Sequence, residues 1–323
     1  MGSILKKILV TGCNGLVGRA VCNSLVNRPG LLIVGVDIKL PEPVNVFHSD
    51  EDFTFYNIDL TDSHAVNTLF EEYKFDSVIN CFGIKGSPIR AKERPLDFLT
   101  PSIKGNMNII ENCYKHNSFL VFLSSVGVYA PAEVFEEETV WKTLPSENDW
   151  FPSWSKRVPE LYLEAHKVQY NWENYCILRP ANIFGENDNY GEGSTVIAST
   201  VKKIYDAKDG DDIIVWGDGK STRDFVFAND VAEVSIKCSE DERHLVSNIG
   251  SGIETSIETV VKTVIEASGK NLNIVYDTTK PNGDRRRKMS TKNQYSLDLY
   301  TSTDITHQLK HTYKFYSEEI AKK

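Results

Sequence analysis

Short apolar runs alternate with stretches of helical period through the first half of the chain. Residues 8–10 form a short apolar run, and a helical pattern covers 19–27. A second run at 31–36 ends in Asp37. Residues 53–58 read as a strand and lead into Asp59-Leu60-Thr61-Asp62, with a helix predicted over 64–73. A short buried strand at 77–80, a long helix within 95–116 and a strand at 119–123 follow. Ile103, Met107 and Ile110 share one face of the long helix. This βα order predicts a doubly wound α/β fold, a parallel sheet with helices on both faces and ligands at the carboxyl ends of the strands.

The pattern loosens afterwards. Residues 128–154 look like a loop rich in Pro, Glu and Trp. Helical character returns at 156–169, then a strand at 175–179, a helix at 194–207 and a strand at 212–216 that turns at Gly217-Asp218-Gly219. Residues 231–237 and 257–267 read as helices, and from 292 onward the chain is polar without a strong pattern. No repeat and no clean linker divides it. The expected organisation is a nucleotide-binding Rossmann domain over 1–178. A smaller α/β substrate-binding domain follows, mainly over 179–323, with segments that cross back to the first.

The first strand, helix and second strand carry the clearest chemistry. Gly12, Gly15 and Gly18 fall between the first apolar run and the first helix, interleaved with Asn14, Leu16 and Val17. One glycine permits the tight turn, a second lets backbone approach a ligand, and a third lets helix pack on strand. The helix start then offers unpaired N–H groups and the positive end of its dipole to a pyrophosphate. Asp37, nineteen positions after Gly18, is placed to accept hydrogen bonds from an adenosine ribose and to repel a 2′-phosphate. A structural βαβ turn with a surface Asp is the alternative. Strand, glycines, helix, strand and acid agree on a dinucleotide site, and the acid favours NAD over NADP. Lys39 is the residue placed to bind a 2′-phosphate instead.

At 323 residues the chain can bury a sizeable core, and its net charge of −9 argues against nucleic acid as a partner. Six scattered cysteines without a Cys-x-x-Cys pair suit neither a metal site nor a disulfide framework. Residues 1–7 are too short and polar for a signal peptide, and no apolar run is long enough to span a bilayer. These features lead us to expect a cytoplasmic protein with no metal and no membrane contact.

Beyond the glycines, several motifs together resemble the extended short-chain dehydrogenases, the family of nucleotide-sugar epimerases and dehydratases. They are Asp59-Leu60, Leu123-Ser124-Ser125-Val126-Gly127-Val128-Tyr129, Ser155-Lys156 with Glu160, Arg179-Pro180-Ala181-Asn182-Ile183-Phe184-Gly185, and Val215-Trp216-Gly217-Asp218-Gly219 with Arg223-Asp224-Phe225. Asn248 to Gly252 and Thr279 to Gly283 resemble GDP-fucose synthase relatives in particular. The resemblance implies roles. Asp59 and Leu60 would flank the adenine, and Cys81-Phe82-Gly83 would pass over the cofactor. Ser125 would bond the sugar hydroxyl being oxidised, and Lys156 would hold the nicotinamide ribose. Asn182, Trp216 and Arg223 would contact the nucleotide sugar, Arg223 as a fork on phosphate oxygens. One member of Arg285-Arg286-Arg287-Lys288 could reach the diphosphate, and a solvated basic face is the alternative. A homodimer through the helices near 95–116 and 156–170 is also implied, with Ile103, Met107, Ile110, Leu161 and Val168 as candidate contacts.

The chain departs from the family at the chemistry itself. The family's tyrosine base lies four residues before the lysine, where this chain has Pro152. No tyrosine stands between Tyr129 and Tyr162. Pro159 must sit in the first helical turn or disturb the helix. The Asp-Glu pair of dehydratases is Val126-Gly127 here. The Cys and His that move protons in GDP-fucose synthases fall on Gly127 and Thr195, neither of which can exchange a carbon-bound proton. Simple NAD-dependent hydride transfer on a nucleotide sugar is what remains, and the resemblance implies that the sugar is GDP-linked and reacts at C4. The alternatives are a non-catalytic paralogue that binds both ligands, and a 4-epimerase with a substitute base. Glu160 shares a helix face with Lys156 and is expected to serve as a salt-bridge partner.

Overall fold

The computed structural model describes residues 5–26, 28–40, 51–84, 88–280 and 284–322, the side chains of 88–90 excepted. The first half runs β1 (Lys6–Thr11), α1 (Leu16–Leu25), β2 (Leu31–Asp37), β3 (Phe53–Asn57), α2 (Ser63–Tyr73), β4 (Ser77–Asn80), α3 (Pro88–Glu93), α4 (Leu96–His116), β5 (Phe119–Leu123), α5 (Trp150–Tyr170) and β6 (Tyr175–Pro180). It continues through β7 (Asn182–Phe184), α6 (Val196–Asp206), β8 (Asp212–Trp216), β9 (Thr222–Phe227), α7 (Ala228–Asp241) and β10 (Leu245–Ile249). The last elements are β11 (Glu254–Ser256), α8 (Ile257–Ser268), β12 (Asn273–Asp277), β13 (Arg286–Arg287), α9 (Lys292–Ser296) and α10 (Ile305–Phe315).

Seven strands form one sheet in the order β10-β6-β5-β4-β1-β2-β3, every pair parallel. This is the doubly wound arrangement that the alternating pattern predicts. Strand period two splits each strand between two cores. Ile8, Val10, Val121 and Leu123 pack with α1 and α7, while Leu9, Val34, Leu120 and Phe122 pack with α2, α4 and α5. The chain crosses from β1 to opposite edges of the sheet between β1 and β4, so ligands are expected beside the ends of those strands. A third core joins Phe184, Phe225 and Phe227 of β7 and β9 to α6, α8 and α10.

Several boundaries differ from the sequence reading. Helix α5 begins at Trp150, inside the stretch expected to be loop. Pro152 is its third residue, where the missing N–H would have no helical partner anyway. Pro159 is the tenth, beyond the first turn, and the helix continues on both sides of it. The segment after 292, expected to lack pattern, forms α9 and α10. Helix α10 buries Ile305, Leu309 and Tyr313 at four-residue spacing, along with Gln308 and Thr312. Those two polar members hid the stripe. Of the candidate dimer contacts, Ile110 is fully buried in the sheet core, and Leu161 and Val168 are exposed. In the Thr279 to Gly283 motif, residues 281–283 lie outside the described residues.

Candidate active site

Strand β1 ends at Thr11, and the chain turns through Gly12 at φ +62°. A Cβ on Gly18 would lie 2.1 Å from the Gly12 carbonyl oxygen, so turn and helix can close only on glycine there. Helix α1 starts at Leu16, three residues before the expected position, with no side-chain cap and no acid in its first turn. Its first amides and positive dipole end therefore face the turn, a fit for pyrophosphate. Asp37, at the end of β2, accepts from the Asn14 amide at 3.0 Å and from the Lys39 amide at 2.9 Å. Asn14 returns a side-chain bond to the Lys39 carbonyl at 2.8 Å. The acid is thus fixed beside the turn, where a ribose would lie.

The opposite wall is Cys81-Phe82-Gly83 after β4. Only the backbone of Phe82 can serve the crevice, because its ring packs against Gly105 of α4, where a Cβ would lie 2.5 Å away. Burial pushes the Cys81 thiol up to about 12, against the opposing pull of Lys156. Below this wall runs a buried polar chain. Thr11 donates to Asn80 at 2.6 Å, and Asn80 donates to Asn106 at 2.8 Å. It leaves the backbone at the end of β1 and β4 little freedom. Asp59 is exposed and accepts from the Thr61 amide at 2.9 Å, while Leu60 is buried.

Ser125 and Lys156 meet this wall from β5 and α5. Lys156 Nζ donates to the Phe82 carbonyl at 3.0 Å and to the Leu123 carbonyl at 2.8 Å. Burial pushes its pKa down to about 8. The Ser125 hydroxyl accepts from the Gly127 amide at 3.1 Å, which leaves its proton free to donate. Ser153 of α5, which sequence reading missed, donates to the Gly127 carbonyl. It thereby joins the helix that carries Lys156 to the loop that carries Ser125. Among the described residues no phenol is bonded to Ser125 or Lys156. Tyr129 is buried, with its hydroxyl bonded to Asn248 and 3.3 Å from Arg179, and burial pushes its pKa up. Glu160 forms a salt bridge, but with Arg179 of β6 and not with Lys156, whose ammonium is taken by two backbone carbonyls. Its carboxylate takes Arg179 at 3.1 and 2.7 Å and also the Ser124 hydroxyl, with both charged side chains at most 2% exposed.

On the second wall, Arg223 of β9 donates through Nη1 to the Thr222 and Asp284 carbonyls, both at 2.7 Å. Burial, and then the neighbouring Arg287 guanidinium, push its pKa down to about 10. Arg287 bonds Asp284 and Asp149, the residue preceding α5. Within the basic run, strand alternation sends Arg286 and Lys288 to Glu254 and leaves Arg287 beside Arg223. That alternation was the available signal for Arg287. Asn182 is anchored to the Asp224 carbonyl at 2.9 Å, and Trp216 stands 54% exposed with Lys280 Nζ 5.8 Å from its ring centre. Thr195 precedes α6 and donates to Asp188 at 2.9 Å.

The sequence pattern of the NAD dependent epimerase/dehydratase family matches residues 8–250. The chain belongs to that family. Among its members, the putative GDP-L-fucose synthase 2 of Arabidopsis thaliana is 28% identical over 98% of this chain and 93% of its own length. The GDP-L-fucose synthase of Sinorhizobium fredii is 27% identical over 98% and 97%. Among solved structures, a UDP-glucose 4-epimerase of Thermotoga maritima, determined with UDP-glucose, superposes with a TM-score of 0.84 at 23% identity. It covers 97% of this chain and 99% of that one. The family uses NAD, and the crevice at β1 and β2 fits that cofactor: glycines where a Cβ would collide, an uncapped helix start and a fixed acid. Among the described residues no helix is long and apolar enough to cross a membrane.

Proposed function

We propose that this family member is an NAD-dependent oxidoreductase acting on a GDP-linked sugar by simple hydride transfer at C4. The observation that carries the reading is the convergence of Ser125 and Lys156 on the ends of β4 and β5, next to the glycine turn of β1. Bound NAD would supply the hydride acceptor. Gly12, Asn14, Gly15, Leu16, Val17 and Gly18 would hold its pyrophosphate and Asp37 its adenosine ribose. Asp59 and Leu60 would lie at the adenine, and Cys81, Phe82 and Gly83 would pass over it with backbone. Lys156 would hold the nicotinamide ribose, and Ser125 would donate to the sugar oxygen. Arg223 would bind the diphosphate, helped by Arg287, with Asn182 and Trp216 beside the sugar and base.

Loss of the proton-moving pair supports the restriction to hydride transfer. Gly127 carries no side chain, and Thr195 is a hydroxyl tied to Asp188. Relatives named GDP-L-fucose synthase support the GDP-linked choice. Pro152 favours a second reading, a paralogue that binds both ligands without turnover. Incubation with NAD and a panel of GDP- and UDP-sugars, followed by NADH absorbance and product analysis, separates the two readings and also detects 4-epimerisation.

We also propose a cytoplasmic homodimer paired through α4 and α5, where Leu161 and Val168 are 54% and 78% exposed. All six cysteines are free, which supports the compartment. Light scattering at micromolar concentration should give twice the chain mass, and a monomer mass refutes the dimer.

A further inference from the structure

We propose that Lys156 is itself the group that exchanges the proton of the sugar hydroxyl, replacing the phenol that Pro152 removes. The inference rests on the oxidoreductase reading above and changes the role of one residue within it.

The geometry comes first. An alkylammonium has three N–H bonds, and two of them are spent on the Phe82 and Leu123 carbonyls at 3.0 and 2.8 Å. The third position has no partner among the described residues. In the ammonium that position carries a proton, and in the amine it carries the lone pair. Both states therefore keep the same two carbonyl bonds, and the proton can leave or return without any rearrangement of the side chain. The Leu123 carbonyl ends β5 and the Phe82 carbonyl lies just after β4, so the free position opens at the ligand crevice. Gly83 leaves it uncovered, since a Cβ there would lie only 3.2 Å from Nζ.

The surroundings suit proton exchange. Among the described residues no carboxylate is bonded to the ammonium, and the titratable groups acting on it are the Cys81 thiol from the loop after β4 and Glu160 from its own helix, the latter already engaged by Arg179. From β5 it meets the Phe122 ring, 5.3 Å from Nζ, and no ionisable side chain. Burial brings the amine to about 8, close to the pH at which a cytosolic enzyme works. A lysine that served only as a fixed cation would need no such adjustment.

The step balances simply. With NAD bound to accept the hydride of the sugar C–H, the O–H proton would pass to neutral Lys156 and the carbonyl would form with no further reactant. Reduction runs the same transfers backward and needs the ammonium. The pH dependence follows: oxidation rises as pH climbs through the lysine's pKa, by about tenfold per pH unit below it, and reduction falls above it.

The test combines Lys156→Arg with a direct titration. Arginine keeps the positive charge and can donate to the same two carbonyls, but it cannot give up a proton near neutral pH. NAD binding by Lys156→Arg should stay close to wild type while turnover falls about 100-fold or more. Independently, the pH dependence of Lys156 acetylation in the intact protein, read by mass spectrometry, should show a midpoint near 8. A midpoint in the ordinary lysine range overturns the inference. So does an Arg variant that turns over at a rate near wild type. Either result leaves the oxidoreductase reading standing. No hydride transfer with any sugar overturns that reading and the inference with it.

Discussion

Arg223→Met offers a clean separation of the two ligand sites. In the structure one nitrogen of Arg223 makes two carbonyl bonds of 2.7 Å, while Nε and Nη2 have no partner among the described residues. A second guanidinium, Arg287, lies close enough to help lower its pKa to about 10. Arg287 is already paired with Asp284 and Asp149, so the unpartnered nitrogens of Arg223 are what an anion would engage. A hydrogen bond to a charged group contributes about 1.5–3 kcal/mol, so its loss should weaken GDP-sugar binding roughly 10- to 150-fold. NAD binding should change little, because its proposed contacts lie at β1 and β2. The fold should also change little, since relief of the Arg287 repulsion offsets the two lost carbonyl bonds. Calorimetric titration with a GDP-sugar and with NAD, beside a thermal melt, checks all three points. Equal loss of both affinities would indicate a folding defect, and unchanged GDP-sugar affinity would remove Arg223 from the site.

Two further outcomes follow from buried charges. Glu160→Gln leaves the Arg179 guanidinium buried without its counter-charge and should cost about 3–5 kcal/mol in urea unfolding. A loss below about 1 kcal/mol would mean that the pair contributes little to joining α5 and β6. Asp37→Asn keeps an acceptor for the Asn14 amide but removes the charge opposed to a 2′-phosphate. The ratio of NADH to NADPH affinity should therefore narrow by about tenfold or more, and a wild type that binds NADPH more tightly refutes the role given to Asp37.

The sheet was legible because its strands are short apolar runs buried on both faces, such as 119–123, and its helices have clean stripes. The glycine turn and Asp37 were legible because their spacing is local. Helix α5 was read six residues short because Pro152 and three tryptophans mimic a loop, although proline is tolerated in a first turn. Arg287 and Ser153 were missed as individuals for a different reason. Their importance comes from partners distant in sequence: Asp149 for Arg287 and Gly127 for Ser153. The ring of Phe82 turned away from the crevice because Gly105, far along the chain, leaves a space that only the fold reveals.

The central claim is hydride transfer to or from a GDP-linked sugar in a site without the tyrosine. The most direct measurement follows absorbance at 340 nm with purified protein, NAD and each GDP- and UDP-sugar in turn, with the products resolved by mass. The account predicts slow NADH formation with a GDP-sugar and a product two hydrogens lighter. Absence of NADH with every sugar, while NAD and a GDP-sugar both bind, would contradict it and establish the chain as a binding protein.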